Sequence, residues 1–218
     1  MPSVTRNSLF VIRYSLFVML LPRSFYLRPD VVQIARDLLG KHLVTRMDGL
    51  ITSGIICETE AYAGVTDKAS HAYGGRRTAR TEVMYARGGT AYVYLCYGMH
   101  SLFNVVTNDK DIPHAVLIRG IIPVEGVKTM LQRAGKQKVS KDFGIGPGKV
   151  AKILGIHYSN TGLDLTLKEN ASASIWIEDR NVEICEADLL SAPRIGVDYA
   201  GADALLPYRF RIIRDNLF

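Results

Sequence analysis

Two glutamates two residues apart, Glu58 and Glu60, lie in the run Ile56-Cys57-Glu58-Thr59-Glu60-Ala61-Tyr62. In an extended strand, alternate side chains share a face. Ile56, Glu58, Glu60 and Tyr62 would then line one side, and Cys57, Thr59 and Ala61 the other. Such a strand sets the carboxylates roughly 6.5–7 Å apart, a spacing open to paired-acid hydrolysis of a glycosidic bond. Two solvent-facing glutamates on an edge strand give the same pattern, and spacing alone favours that plainer reading. Arg119 is more telling, because it interrupts the apolar run Val116-Leu117-Ile118-Arg119-Gly120-Ile121-Ile122. A guanidinium buried there needs an anion, either a carboxylate such as Glu60 or a ligand phosphate. Asn104, inside Leu102–Val106, needs partners for the same reason. Tyr92, Tyr94 and Tyr97 form an aromatic series ending at Gly98. Tyr92 and Tyr94 share a face, whereas Tyr97 falls on the other face or at the tip, where packing explains an aromatic less readily.

Positive charge is the second chemical signal. The 218-residue chain has 27 Lys and Arg against 21 Asp and Glu, a net +6 and a pI near 9.2. Residues 68–87 hold Lys68, Arg76, Arg77, Arg80 and Arg87 against Glu82 alone. Residues 128–152 hold Lys128, Arg133, Lys136, Lys138, Lys141, Lys149 and Lys152 against Asp142. These clusters suit phosphate contact as well as they suit solvated loops. Gly144-Ile145-Gly146-Pro147-Gly148-Lys149 sharpens the case, since free amides at a helix start plus a lysine suit an anion. It is not a Walker A loop: Phe143 stands where the first glycine belongs, and Val150 replaces Ser/Thr. Cys57, Cys96 and Cys185 include no Cys-x-x-Cys pair. That excludes a disulfide framework, a Cys-rich zinc site and a Cys₄ iron–sulfur cluster, and it fits a reducing compartment.

The elements that must position these groups are well punctuated. Pro29-Asp30 opens a helix through Val31, Ile34, Ala35, Leu38 and Leu39, which Gly40 stops. His42–Arg46 and Ile51–Tyr62 flank Asp48-Gly49, a type I′ hairpin signal. A polar, basic loop runs from Gly64 to about Arg80. Thr90–Tyr97 and His100–Val106 read as strands around the Gly98-Met99 turn, and His114–Ile122 as a buried strand. Helices are expected over Val124–Arg133 and from Pro147 to Gly155, with short strands at Ile175–Glu178 and Tyr208–Ile213. The pattern predicts an α+β fold: one domain with a curved, mostly antiparallel β-sheet and peripheral helices.

Residues 1–22 read differently. Ser8-Leu9-Phe10-Val11 returns as Ser15-Leu16-Phe17-Val18, in an apolar stretch that Arg13 interrupts. No small-x-small cleavage site follows, and the roughly 20 uninterrupted apolar residues of a membrane span are missing. The segment is expected to be an accessory extension, disordered or the product of an early start codon, with the domain over 23–218. It carries two arginines and no acids, so the basic character belongs to the domain.

Taken together, Glu58-Thr59-Glu60-Ala61-Tyr62, Ser70-His71, Gly74-Gly75-Arg76, Thr78, Tyr92-Val93-Tyr94 and Tyr97-Gly98-Met99 resemble the alkyladenine (3-methyladenine) DNA glycosylase family of the mixed α/β kind. The resemblance continues through Asn104, Val116–Arg119, Gly146-Pro147 with Lys149, and Arg194-Ile195-Gly196-Val197, covering about Ser24 to Ile212. It implies a monofunctional hydrolase that flips a damaged purine from duplex DNA and cleaves its N-glycosidic bond, initiating base excision repair. In that resemblance Glu60 activates water and Arg119 stands beside it. Tyr62, His71 and Tyr94 enclose the base, with Asn104 beside the pocket, and Tyr97, with Met99, wedges the duplex. Arg76, Arg80, Gly148 and Lys149 are candidates for phosphate contact. The resemblance implies no metal or cofactor, and a monomer in the cytoplasm acting on double-stranded DNA with no membrane partner. His100-Ser101 and the C-terminal Arg211–Phe218 depart from the family pattern. A catalytically silent nucleic-acid-binding protein leaves Glu60 and Arg119 unexplained. A hydrolase of free nucleosides or glycosides leaves the basic clusters unexplained.

Overall fold

The computed structural model describes residues 18–168 and 172–213. Strand β1 (Met19–Leu20) leads into helices α1 (Arg23–Tyr26) and α2 (Val31–Asp37) and strands β2 (His42–Met47) and β3 (Leu50–Tyr62). Next come β4 (Ala91–Cys96), β5 (His100–Thr107), β6 (His114–Glu125), α3 (Val127–Ala134) and α4 (Pro147–Leu154). The last strands are β7 (Ala173–Asp179), β8 (Leu189–Ala192) and β9 (Arg209–Ile212). All nine strands join one antiparallel sheet in the order β1-β7-β2-β3-β6-β5-β4, with β9 pairing β3 and β8. The curled sheet with few helices is the α+β fold that the hairpin signals predict.

Local signals explain most boundaries. The Asp30 side chain accepts from the Val32 and Gln33 amides and caps α2. Asp48 and Gly49 both have positive φ, 52° and 76°, as a type I′ turn requires. The expected strand from His114 runs on to Glu125, so the helix expected from Val124 begins only after Gly126, at Val127. Helix α1 and strands β1 and β8 carry no period long enough to read.

Strand alternation sorts the sheet into two faces. Val93, Phe103, Val105, Val116, Ile118 and Ala61 pack into the main core with Ile34 of α2, Leu38 just after it, and Val150, Ile153 and Leu154 of α4. The intervening Tyr92, Val106 and Ala115 join Ala72, Met84 and Tyr85 in a smaller cluster under the loop that follows β3. The site described below is built on this second face.

Two compensating bulges mark the middle of the sheet. Along β3 and β6, Ile56 pairs with Ile121 and Glu58 with Gly120, which leaves Cys57 as an extra residue on β3. Thr59 then pairs with Ile118, leaving Arg119 as an extra residue on β6. The register recovers, but the alternation shifts. Ile56 packs in the core with Cys57 rather than on the face of Glu58 and Glu60. At the same place the other edge of β3 passes from β2, whose pairing ends at Ile55, to β9, which pairs Glu58 through Glu60.

The boundary drawn after residue 22 falls inside packed structure. Met19 and Leu20 pair with Asp179 and Glu178, the Leu21 amide donates to the Ile177 carbonyl, and Leu21 is buried. Three extended residues found a sheet edge, which the seven-residue repeat of the tail does not signal. The rest of the expected extension, residues 1–17, and the C-terminal residues 214–218 lie outside the described residues. Removing residues 1–22 should lower the thermal midpoint by about 5 °C relative to removing 1–17, since burial of Leu21 stabilises by about 2 kcal/mol. Melting curves of the two truncations check this, and equal midpoints would place Leu21 outside the cooperative core.

Candidate active site

Glu60 is fully buried and Glu58 nearly so, at 8% exposure. That removes the reading of two solvent-facing glutamates on an edge strand. A buried carboxylate has to be met by donors, and three chain segments supply them. Tyr62, two residues along β3, donates its hydroxyl to Glu60 Oε2 at 2.9 Å. The Ile195 amide donates to Oε1 at 2.8 Å. Arg119 Nε lies 3.4 Å from Glu60 Oε1 and 3.5 Å from Glu58 Oε1. Burial nevertheless dominates and pushes the Glu60 carboxyl above its ordinary range, against the pull of Arg119, the Ile195 amide and Tyr62. Glu58 is occupied differently: Arg209 of β9 donates to its Oε1 at 2.9 Å. The two acids are therefore not equivalent partners.

Alternation along β6 sets Arg119 on the same side as Leu117, facing both carboxylates, and the bulge releases its backbone. As the extra residue of β6 it has no partner on β3, and its carbonyl accepts instead from the Gly146 amide at 2.8 Å. The Ile121 amide donates to the Gly144 carbonyl, and Ile145 bridges to Gly120. The glycine-rich loop thus acts as a short extra strand that pins the bulge. A Cβ on Gly144, which has φ +89°, would meet the Ile121 carbonyl at 2.5 Å, so only glycine fits.

A cavity of about 430 Å³ opens beside Glu60. Tyr62, Arg119 and Ile195, the three residues bonded to Glu60, form part of its wall. His71, Tyr92, Tyr94 and Asn104 complete much of the rest. The Asn104 amide group donates to the Tyr92 and Leu102 carbonyls, which fixes its orientation. Arg80 lies 4.7 Å over the Tyr94 ring and donates to His71 Nε2 at 3.2 Å. That leaves Nδ1 to carry the proton and donate to the Tyr92 hydroxyl at 2.9 Å. Burial, reinforced by Arg80 and Arg76, pushes His71 down to about 4, so its ring is neutral.

Tyr97 and Met99 stand at the tip of the β4–β5 hairpin, 88% and 71% exposed. Tyr97 has φ 50°, a left-handed conformation uncommon for a residue with a side chain. Tyr97 also reaches the cavity wall. The phosphate candidates divide. Arg76 and Arg80 are both exposed loop residues, and Arg80 also joins the aromatic wall. Lys149 is ion-paired with Asp142, whose carboxyl it holds down to about 2. Gly148 packs against His100, which brings the start of α4 beside the hairpin. Sequence reading assigns no role to Arg209, Asp67, Tyr92 or Arg194. The Arg194-Ile195-Gly196-Val197 run is the one signal pointing to the last of these. Among the described residues no three His, Cys, Asp or Glu side chains gather as metal ligands would.

Residues 24–216 match the family model described as methylpurine-DNA glycosylase. A protein of Chlamydia felis named "Putative 3-methyladenine DNA glycosylase" is 47% identical over 192 residues, covering 88% of this chain and 95% of its own length. Proteins with the same printed name from Clostridium perfringens and Bacillus cereus are each 42% identical. They cover 92% and 87% of this chain, and 98% and 93% of their own lengths.

His71 and the fully buried His42 are both pushed down to about 4, burial being the largest cause in each case. Unfolded, each takes up a proton near its ordinary 6.5, so below that pH the unfolded chain binds more protons than the folded one. Stability should therefore decline as pH falls from 6.5 to 4. Urea midpoints across that window, for the native chain and for His71→Gln and His42→Gln, check this. Each variant should flatten the decline, and an unchanged slope in both would remove the histidines as its cause.

Proposed function

We propose, for a chain that belongs to the methylpurine-DNA glycosylase family, that it turns a damaged purine out of duplex DNA and hydrolyses its N-glycosidic bond with water activated by Glu60. The observation that carries this reading is a fully buried carboxylate behind the wall of an aromatic cavity, faced by a guanidinium from the opposing strand. Contacts of 3.4–3.5 Å between Arg119 and Glu60 are looser than charge-assisted bonds of about 2.7–2.9 Å. They leave carboxylate lone pairs for a water drawn in with the substrate.

The chemistry follows from these groups. As the bond between the sugar and the base lengthens, its electron pair leaves with the base and positive charge grows on the sugar. The Glu60 carboxylate stabilises that charge and takes a proton from the water whose oxygen attacks the anomeric carbon. A base with a raised proton affinity suits this task near neutral pH. Alkylated purines carry positive charge, leave as neutral bases and stack strongly on electron-rich rings. Tyr62, His71 and Tyr94 enclose the base, and Asn104 borders it. Neutral His71 presents no competing positive charge. Lesions pair poorly, so the flipping cost of a few kcal/mol is smallest for them. Tyr97 and Met99 fill the gap left in the stack. Arg76, Lys149 and the amide of Gly148 meet phosphates, and Arg80 acts from within the pocket wall. The chain acts as a monomer in this reading. No helix among the described residues is long and apolar enough to cross a membrane, which fits the proposed cytoplasmic setting.

Glu60→Gln should slow single-turnover base release from lesion-bearing duplexes by about 10²-fold or more while leaving duplex affinity nearly intact. A variant as fast as the native chain would remove Glu60 as the base. Tyr97→Ala should slow release most from well-paired lesions such as hypoxanthine, and least from mismatches or single strands. A uniform loss accompanied by a lower melting temperature would instead make Tyr97 a packing residue.

Affinity for duplex DNA should fall with salt, and Arg76→Ala and Lys149→Ala should each flatten that slope by about 1 unit. Asp142→Asn frees Lys149 and should strengthen binding at low salt. Slopes from fluorescence anisotropy decide. Unchanged values in all three variants would take this surface out of the interface.

A further inference from the structure

We propose that the buried ion pair of Arg194 and Asp67 is a positioning device for the reaction, holding Tyr62 and Glu60 in register with each other. The inference rests on the glycosylase reading and extends it to two residues to which that reading assigns no role. Both side chains are sealed, at 0% and 2% exposure. They form a two-pronged bond: Nη1 to Asp67 Oδ2 at 2.5 Å and Nη2 to Oδ1 at 2.9 Å. Arg194 Nη1 also donates to the Ala61 carbonyl at 2.9 Å, while Asp67 Oδ2 accepts from the Ala63 amide at 3.0 Å. The pair therefore grips the backbone on both sides of Tyr62. The guanidinium stacks 4.9 Å from the Tyr62 ring and 5.3 Å from the Tyr208 ring. Its next residue, Ile195, aims an amide at Glu60 Oε1. One side chain thereby orients the ring that lines the cavity, the hydroxyl that bonds Glu60 Oε2, and the amide that bonds Oε1.

Stability alone does not call for such a pair. Desolvation offsets most of the attraction between buried ions, and apolar residues of similar volume often serve the fold as well. The grip on Tyr62 and the aim of Ile195 are what apolar residues would not reproduce. Glu60 is faced by Glu58 from its own strand, by Arg119 of β6 and by the Ile195 amide, and Arg209 of β9 answers Glu58. Replacing Arg194 and Asp67 together removes one positive and one negative charge. A change in the proton affinity of Glu60 would then report displaced donors rather than altered net charge.

The test compares the native chain, Arg194→Met/Asp67→Leu, Arg194→Lys and Glu60→Gln in single-turnover base release from pH 5 to 9, with melting curves and duplex affinity alongside. The double variant should fold with a lower melting point, since the Ala63 and Ala69 amides and the Asp203 carbonyl lose their partners, and should bind duplex normally. It should release base about tenfold more slowly at pH 8, as expected for loss of a hydrogen bond to a charged group. Its acid limb should move to higher pH, because a carboxylate that loses a donor is harder to ionise. Arg194→Lys keeps the charge but not the fork and should be slowed as well. A folded double variant with native rate and native acid limb would overturn the proposal, provided Glu60→Gln is inactive. If Glu60→Gln is itself fully active, the glycosylase reading fails instead. If neither Arg194 variant folds, the pair belongs to the fold and the proposal falls.

Discussion

A carboxylate sealed from water must be kept charged by whatever surrounds it, and the architecture around residue 60 answers that demand. Desolvation of such a group costs several kcal/mol, while each hydrogen bond to a charged group returns about 1.5–3 kcal/mol. Two direct bonds and one loosely placed guanidinium therefore come close to balance without exceeding it. The direction in which Glu60 is shifted agrees, with burial outweighing its three partners. Each partner then makes a demand on the fold. Tyr62 has to lie two residues along the same strand. Arg119 has to stand on the neighbouring strand, on the same face as the carboxylates. The Ile195 amide has to come from a segment anchored by its own buried ion pair.

The paired bulges of β3 and β6 are the geometric answer. A regular antiparallel ladder would send Arg119 to the face opposite its neighbour Gly120 and keep the alternation through Ile56. That alternation already sets Arg119 on the carboxylates' side with Leu117, and one extra residue on each strand frees its carbonyl for the Gly146 amide before the pairing is restored. The loop of Gly144 and Gly146 takes up the backbone groups that the bulge leaves over. A run that reads from sequence as an anion cradle is thus first a piece of sheet, and Gly144 is needed there for close backbone approach.

What sequence reveals here follows the range of the interaction concerned. The Asp30 cap, the Asp48-Gly49 hairpin and the alternation that carries Glu60 and Tyr62 together depend on neighbours a few residues away, and they are legible. So is the need of Arg119 for an anion, because an arginine in an apolar strand states its own problem. The proposed base-pocket residues Tyr62, His71, Tyr94 and Asn104 do line one cavity. Three features stay hidden. The paired bulges arise between strands about 60 residues apart. The partner of Asp67 lies 127 residues away. The two-residue edge strand at Met19–Leu20 is too short for any period. The placing of Arg80 over Tyr94 likewise comes from the fold of a loop whose charges, read in isolation, look free.

The hairpin tip carries a liability of another kind. Tyr97 holds an exposed aromatic ring on a backbone conformation that glycine or asparagine adopts at lower cost. Selection for heat resistance alone would tend to erase it, since a glycine there relieves strain and a polar residue improves solubility. Its proposed work in the gap of the DNA stack is what would offset that cost. A substitution that hardens the tip would remove the very ring proposed to fill that gap, however inviting its backbone looks.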